Sequence, residues 1–225
     1  MALLDNLFKK TLYYPGCTAK FIAKDIQTRH EKLLQKFGIK YIKLQELEVC
    51  CGKPALDYGY KEDFEKLVKQ NIDNFHAQGI KRIITSCPVC YSIFLKYYSE
   101  DFEIEHITKT ILDNIRKIEK KSDEKITFFD SCNSDKLQDL YNNPREILKK
   151  LGYKLQELEF HKEHSMCCGK SLKLISPKVA KSMAEALLES VPSKKLIVLS
   201  PDCFTHLLEN NNKGIKVVEL SEVLI

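Results

Sequence analysis

Short apolar runs alternate along the chain with longer segments whose apolar residues have helical spacing. The runs are rich in β-branched and aromatic residues, and we predict strands at four of them: 11–14, 82–85, 126–129 and 195–200. One more strand is predicted at 39–47, and amphipathic helices are predicted at 21–37 and 61–77. Gly38 and Gly79 follow the helices, where a left-handed residue commonly ends a helix. Alternating strands and helices predict a mostly parallel sheet with helices on both faces.

The pattern occurs twice in the sequence. The matching segments are LYYPGC (12–17) and TFFDSC (127–132), LQELE at 44–48 and 155–159, and CCGK at 50–53 and 167–170. The charged stretch 116–125 lies between the copies and is typical of a solvated linker. We therefore predict two similar Rossmann-like subdomains, at 1–120 and 121–225, related by a pseudo-twofold axis.

Composition narrows the possible classes of protein. Of 225 residues, 44% are hydrophobic and 30% charged, as in ordinary globular proteins. The net charge of +5 is spread along the chain, whereas a nucleic-acid binder concentrates its basic residues on one face. No apolar run approaches the about 20 residues that span a bilayer, and the first ten residues lack the order of a secretory signal. We expect a cytoplasmic protein without nucleic-acid partners or a membrane span.

Cysteine is the unusual component, because nine residues are an odd number and do not form a complete disulfide framework. The first copy contains Cys17, Cys50, Cys51, Cys87 and Cys90. The second copy contains Cys132, Cys167, Cys168 and Cys203. Aligning the last cysteines of the copies puts Ser200 at the position of Cys87. The spacing predicts two metal sites, one with five thiols and one with four.

The positions of these cysteines in the predicted elements suit a metal centre. Cys17, Cys87 and Cys90 come just after strands, at the sheet edge where α/β proteins bind ligands. Adjacent cysteines reach one site only if the backbone is irregular there, and Gly52 and Gly169 provide that freedom. Their N–H groups would also approach a cluster sulfur.

The residues leave several kinds of site open. Zinc and a cubane [4Fe-4S] cluster each take four ligands, so at site one either a thiol is left over or an opened cluster uses all five. Alternatively, CPVC (87–90) is a redox dithiol, or the cysteines are inert core residues. At site two, Ser200, Asp202 or His164 completes the ligand set, or the site holds an ordinary cluster or zinc. Lys53 and Lys170 are candidates to bind an anionic substrate or to neutralise a cluster.

The order of single Cys, CCG and CxxC resembles the cysteine-rich CCG domain over essentially the whole chain. That domain occurs twice in one of the subunits of heterodisulfide reductase, and in iron–sulfur subunits of lactate, glycolate, glycerol-3-phosphate and fumarate/succinate oxidoreductases. The resemblance implies a non-cubane [4Fe-4S] cluster on the five cysteines of site one. It also implies that a disulfide is reduced between two such clusters, which the missing thiol at Ser200 puts in question. A second [4Fe-4S] cluster or zinc at site two is compatible with its four thiols.

We interpret the chain as an oxidoreductase subunit, similar to that of heterodisulfide reductase, that acts on a small disulfide or thiol substrate and is active only in a complex. It contains no CxxCxxCxxxCP run, so electrons are expected from a ferredoxin-like iron–sulfur subunit and a flavoprotein. One alternative is an electron-transfer subunit of a flavin-dependent lactate, glycolate, glycerol-3-phosphate or fumarate/succinate oxidoreductase. Another alternative is a zinc-bound module without catalytic activity.

Overall fold

The first half of the chain forms a three-stranded sheet with helices around it. The computed structural model describes residues 10–44, 47, 49–132 and 137–225. The elements of this half are β1 (Lys10–Tyr14), α1 (Cys17–Phe21), α2 (Lys24–Phe37), α3 (Lys53–Asp57), α4 (Lys61–Ala77), β2 (Ile80–Thr85), α5 (Pro88–Tyr97), β3 (Glu103–His106) and α6 (Ile107–Asp113). Among the described residues, no helix combines the length and the apolar character that crossing a membrane requires.

The second half repeats this arrangement around a four-stranded sheet. Its elements are β4 (Lys125–Phe129), α7 (Gln138–Lys150), β5 (Lys154–Leu155), α8 (Pro177–Glu189), β6 (Lys195–Val198), α9 (Pro201–Glu209) and β7 (Lys216–Glu219). Short 3-10 helices lie at Ile115–Lys117, Lys162–His164, Lys170–Leu172 and Leu220–Val223.

All strand pairings among the described residues are parallel, and the two sheets have the same order. The first sheet has the order β1-β2-β3, and Ile42 forms an isolated bridge to Leu12 on the free side of β1. The second sheet has the order β5-β4-β6-β7, so β5 takes the place of Ile42. This arrangement confirms the predicted α/β fold with an internal repeat. The last strands, β3 and β7, were not predicted because they are short and half polar.

The strand predicted at 39–47 is wrong for most of its length. Among the described residues of this segment, only Ile42 pairs with β1: its N–H donates to Thr11 O (2.9 Å), and its carbonyl accepts from Tyr13 N (3.0 Å). The apolar positions of this segment do not alternate strictly, so no single face is buried along a strand. Part of the predicted strand, at 45–46, lies outside the described residues.

The helix predicted at 21–37 is divided in two. Phe21 ends α1, and Thr18 O accepts hydrogen bonds from the N–H groups of both Ile22 and Ala23 before α2 begins. Phe21 and Ile22 belong to the predicted apolar face, yet they are 67% and 69% exposed. Helical periodicity placed them on the core side, but the turn between the two helices directs them to the surface. Gly38 ends α2 with φ +76°, as predicted.

Residues from both halves pack into one hydrophobic core. One buried cluster includes Tyr13 and Ile84 of the first sheet together with Phe128 and Ile197 of the second. The connecting stretch 116–125 is mostly exposed, as predicted, but Ile118 is buried in this core. The two sheets are therefore held together by apolar packing as well as by the chain.

A buried carboxyl group joins α2 to the end of the second sheet. Glu219 is fully buried at the end of β7, accepts a hydrogen bond from Ser221 N (2.9 Å) and lies 3.7 Å from His30 Nε2. Burial raises the pKa of Glu219 to about 7, although Ser221 and Arg29 lower it. In the unfolded chain, this carboxyl group has the ordinary glutamate pKa of 4.5. Stability is therefore lost as the pH rises through the window between the two values.

Glu219→Gln is expected to remove this loss. Between pH 5 and pH 8, the free energy of unfolding of the variant should rise relative to the natural chain by about 2 to 3 kcal/mol, as the shift in pKa implies. Urea unfolding at both pH values measures this difference. Glu146→Gln, on an exposed face of α7, is the control and should show no such trend. Equal effects of Glu219→Gln at both pH values would contradict a proton on Glu219 in the folded chain.

Candidate functional site

The carboxyl ends of the parallel strands bring the cysteines of each half together. Cys17 begins α1 just after β1, and Cys87 is the N-cap residue of α5 just after β2. Cys50 and Cys51 lie between the segment that bridges β1 and the start of α3. Loops that follow adjacent parallel strands meet at one sheet edge, which is the usual ligand site of such sheets.

The five thiols of the first half form one continuous row, in which each thiol interacts with its neighbours. Hydrogen bonds link them in the order Cys17, Cys50, Cys51, Cys90, Cys87. Together they line a small cavity of about 40 Å³. Cys51, Cys87 and Cys90 are buried, whereas Cys17 is exposed. This group, called site one, is thus closed on the core side and open on one face.

The four thiols of the second half form an equivalent row, called site two. Cys132 Sγ lies 3.2 Å from Cys167 Sγ, and Cys168 Sγ lies 3.2 Å from Cys203 Sγ. Cys168 also donates to Cys167, which joins the two pairs. Cys168 and Cys203 are buried and Cys132 is exposed. The structure therefore brings together the same nine cysteines that the spacing groups into two sites.

A glycine after each cysteine pair has a left-handed conformation, which provides the irregular backbone that the sequence predicts there. Gly52 has φ +89° and Gly169 has φ +90°. Gly52 N donates to Cys50 Sγ (3.5 Å), and Gly169 N donates to Cys167 Sγ (3.4 Å). A Cβ on Gly169 would lie 2.6 Å from the carbonyl oxygen of Ala180, so packing excludes a side chain as well. These turns direct both thiols of each pair to one site and add an N–H donor to a sulfur.

The pKa is lowered at one thiol of site one, Cys51, and at two thiols of site two, Cys167 and Cys203. The pKa of Cys51 falls to about 5 because Cys50 and Cys90 donate hydrogen bonds to its sulfur. The pKa of Cys167 is lowered in the same way by Cys132 and by its other neighbour in the row. The thiolate is the form of cysteine that binds metals. A central ligand of each site is therefore stabilised in its metal-binding state.

The three residues that were candidates to complete the ligand set of site two have different surroundings in the structure. Ser200 is the N-cap residue of α9, as Cys87 is of α5, and its hydroxyl contacts the thiol of Cys203. Asp202 accepts a hydrogen bond from Thr18 of the other half. His164 is exposed and, within the described part of the chain, is absent from the walls of both cavities.

Sequence reasoning missed one residue at site two. Ser131 Oγ lies 3.6 Å from Cys203 Sγ, and Ser131 is buried. A signal was available, because Ser131 precedes Cys132 as Gly16 precedes Cys17. The change from glycine to serine between the copies marks this position.

A larger cavity lies between the two sites. It has a volume of about 630 Å³. All four cysteines of site two line it, together with Lys53 and Lys170. Pro54, Val89 and Asp202 belong to its wall and also to the wall of the small cavity at site one. Lys53 is paired with Asp57 across one turn of α3. A small molecule in this cavity would lie beside thiols of site two and next to site one.

The chemistry of the donor set limits which groups these residues fit. Among the described residues, no three or more Cys, His, Asp or Glu side chains are arranged as the ligands of a single metal ion. The thiols instead lie in two rows, with N–H and O–H donors to several sulfurs. Thiolate donors select zinc, copper(I) or iron–sulfur clusters, and hydrogen bonds to sulfur are typical around clusters. The residues present fit an iron–sulfur group at each site.

The fold and the two thiol sites define an α/β protein with repeated cysteine-rich centres. The family model for the CCG cysteine-rich domain matches residues 11–94 and again 126–208. The chain therefore belongs to the CCG cysteine-rich domain family and contains this domain twice.

The relatives of the chain are oxidoreductases, their subunits and iron–sulfur proteins. EtfAB:quinone oxidoreductase from Syntrophomonas wolfei is 32% identical over 167 residues, 70% of this chain and 23% of the relative. A subunit of dihydromethanophenazine:CoB–CoM heterodisulfide reductase from Methanosarcina acetivorans is 28% identical over 95% of this chain and 57% of its own length. A subunit of fumarate reductase (CoM/CoB) from Methanothermobacter marburgensis is 26% identical over 94% of this chain and 45% of its own length. Further relatives are named as iron–sulfur proteins.

The chain spans only part of these relatives, between 23% and 57% of their lengths. Among solved structures, glutamate racemase RacE1 from Bacillus anthracis matches with a TM-score of 0.44 and 10% sequence identity. The match covers 96% of this chain and 78% of the racemase chain. Similarity at that level says nothing about function. The relatives support a redox role for the chain and an iron–sulfur cofactor.

Proposed function

We propose that the chain is an iron–sulfur redox subunit that reduces a small disulfide in the cavity between its two sites. The observation that carries this proposal is the five-thiol site next to that cavity. Five cysteines exceed the four that hold a cubane cluster, so we assign a non-cubane [4Fe-4S] cluster to Cys17, Cys50, Cys51, Cys87 and Cys90. A bound cluster would supply single electrons and an iron atom that a substrate sulfur can approach.

The protein groups around the cavity would hold and orient the substrate. Lys53 and Lys170 line it, which suits a substrate with carboxylate or other anionic groups. Reduction adds two electrons and two protons, breaks the S–S bond and releases two thiols. Apolar wall residues such as Pro54 and Val89 would keep water from the reacting sulfurs.

The electrons would come from partners. The sequence contains no ferredoxin-type cysteine run, so we propose a ferredoxin-like iron–sulfur subunit as the direct donor and a flavoprotein beyond it. This chain covers 23% of the length of one relative and 57% of the length of another. Such partial coverage is compatible with a function inside a larger assembly. Nine unpaired thiols suit a reducing compartment such as the cytoplasm.

The assay uses the anaerobically purified, iron-loaded chain with reduced methyl viologen. Dithiodiglycolate, an anionic disulfide, is expected to oxidise the viologen, and cystamine, its cationic counterpart, is expected to do so more slowly. Release of free thiol in step with viologen oxidation confirms that the S–S bond is the electron acceptor. Iron-loaded protein that oxidises viologen with neither disulfide would contradict the proposed activity.

A second candidate is an electron-transfer subunit of a flavin-dependent oxidoreductase, without chemistry of its own. The observation that favours it is the missing fifth thiol at site two, where Ser200 stands in the place of Cys87. In that case the iron-loaded chain would accept electrons from a reduced flavoprotein and leave both disulfides intact. A zinc-bound module, the third interpretation of the thiols, would be colourless and would contain no labile sulfide.

A further inference from the structure

Two equivalent residues, one from each half, lie between the two sites. Aligning CPVC (87–90) with SPDC (200–203) makes Val89 equivalent to Asp202, and each directly precedes the last cysteine of its half. Both residues line the small cavity at site one and also the larger cavity beside site two. The repeat therefore places an apolar side chain from the first half and a carboxylate from the second half in equivalent positions.

A hydrogen bond between the halves holds the carboxylate of Asp202 in this position. Thr18 Oγ1 donates to Asp202 Oδ1, and Thr18 is only 8% exposed. The helices α1 and α9, which contain these two residues, also contact each other. Because Thr18 follows Cys17 and Asp202 precedes Cys203, one hydrogen bond places the carboxylate next to a cysteine of each site.

The charge of Asp202 differs from that of the other carboxylate in the wall of the larger cavity. Asp57 is paired with the ammonium group of Lys53. Within the part of the chain that the structure describes, Asp202 is paired with no cation, and Thr18 gives it a neutral hydroxyl donor. Its negative charge is therefore not cancelled by a neighbouring side chain.

This charge acts on a sulfur of each site. At site one, Cys50 and burial raise the pKa of Cys17, and Asp202 raises it further. At site two, a hydrogen bond from Cys168 lowers the pKa of Cys203, and the charge of Asp202 opposes this decrease. A fixed negative charge that disfavours a thiolate also disfavours any other negative charge added at the same place.

We propose that Asp202, held by Thr18 between the two sites, lowers the reduction potential of the clusters at both of them. This inference rests on the cluster assignment in the proposed function. An added electron makes a cluster more negative, so a nearby carboxylate makes its reduction less favourable. A lower potential increases the driving force for electron transfer to the disulfide. One residue would thus set the reducing power of both sites, while its equivalent, Val89, adds no charge.

The test measures the reduction potential of each site separately, by redox titration followed with electron paramagnetic resonance. Site one is measured in a Cys168→Ser chain and site two in a Cys51→Ser chain. Asp202→Asn keeps the size of the side chain and an oxygen that accepts from Thr18, but it removes the charge. Both potentials should therefore shift to more positive values. Asp202→Glu keeps the charge and should shift both potentials much less.

Two further measurements accompany the titrations. Asp113→Asn removes an exposed carboxylate that lines neither cavity, and it should leave both potentials unchanged. In the chain with both sites intact, Asp202→Asn should slow disulfide reduction, because the driving force falls. Iron and acid-labile sulfide, measured on every sample, show whether each site is filled.

The possible failures are distinguishable. Filled sites whose potentials do not change in Asp202→Asn would overturn this inference and leave the proposed function standing. A change confined to site two, with loss of its iron, would make Asp202 a ligand there and would also overturn the inference, as would equal shifts with Asp202→Glu and Asp202→Asn. Shifted potentials in a chain that leaves disulfides intact would support the inference and refute the proposed activity. Absence of iron and sulfide from the natural chain would refute both.

Discussion

Cys51→Ser is expected to remove about half of the iron and acid-labile sulfide from the chain, since one of two clusters is lost. Cys51 is 3% exposed and stands in the middle of the row of site one, in contact with Cys50 and Cys90. Serine keeps the size of the side chain but replaces a soft thiolate with a hydroxyl, which is a poor ligand for iron. The loss should therefore reflect ligation and leave the fold intact.

Cys168→Ser is the matched control, because Cys168 has the equivalent position in the second CCG and is also buried. It should remove the cluster of site two and preserve that of site one. Disulfide reduction should be lost with Cys51→Ser, while circular dichroism reports an unchanged fold for both variants. Full iron content and full disulfide reduction in the Cys51→Ser chain would contradict the assignment of site one.

Arg145→Met is expected to lower the free energy of unfolding by about 3 to 5 kcal/mol, the usual effect of leaving one charge of a buried pair alone. Arg145 Nη1 and Nη2 lie 2.8 and 2.7 Å from the two carboxylate oxygens of Asp130, whose side chain is fully buried. Arg145 Nε also donates to Glu157 (2.7 Å). Asp130 in turn accepts from Lys162 N (2.7 Å), and its carbonyl accepts from the hydroxyl of Ser165 (2.7 Å).

This network holds the loop that leads into the second CCG. Arg145→Met should therefore also weaken metal retention at site two and leave site one filled. Urea unfolding and iron content after dialysis against a chelator measure the two effects. Arg82→Met is the control: Arg82 pairs with Glu105 (2.6 Å) in the first half and is 28% exposed, so its loss should cost less and spare site two. A destabilisation by Arg145→Met below about 1 kcal/mol, as for a surface pair, would contradict the role of the network.

The cysteine sites were predictable from the sequence because ligands and turns are local features. CCG fixes an adjacent pair and a left-handed glycine within three residues, and Gly52 and Gly169 have that conformation. The repeat then transferred each observation from one half to the other. The assignment of individual ligands, and the boundary between domains at 120/121, stay predictions. α6 and α7 pack together across that boundary.

Other features depend on residues far apart in the chain and could not be predicted from local patterns. Asp130 and Arg145 pair across 15 positions, and their partner Glu157 lies on another segment. Ser131 approaches Cys203 over 72 positions. Neither contact leaves a periodic signal. Phe21 shows the opposite error. Helical periodicity assigned it to the buried face, but α1 ends at Phe21 and the turn that follows leaves its side chain exposed.

The central claim is that both groups of thiols hold iron–sulfur clusters. The most direct measurement is the amount of iron, zinc and acid-labile sulfide per chain in anaerobically purified protein. We expect about eight irons and about eight sulfides, four of each at either site, as in [4Fe-4S] clusters. About four of each would mean that one site is empty and would contradict the cluster proposed for site two. Zinc without labile sulfide would contradict the redox function as a whole.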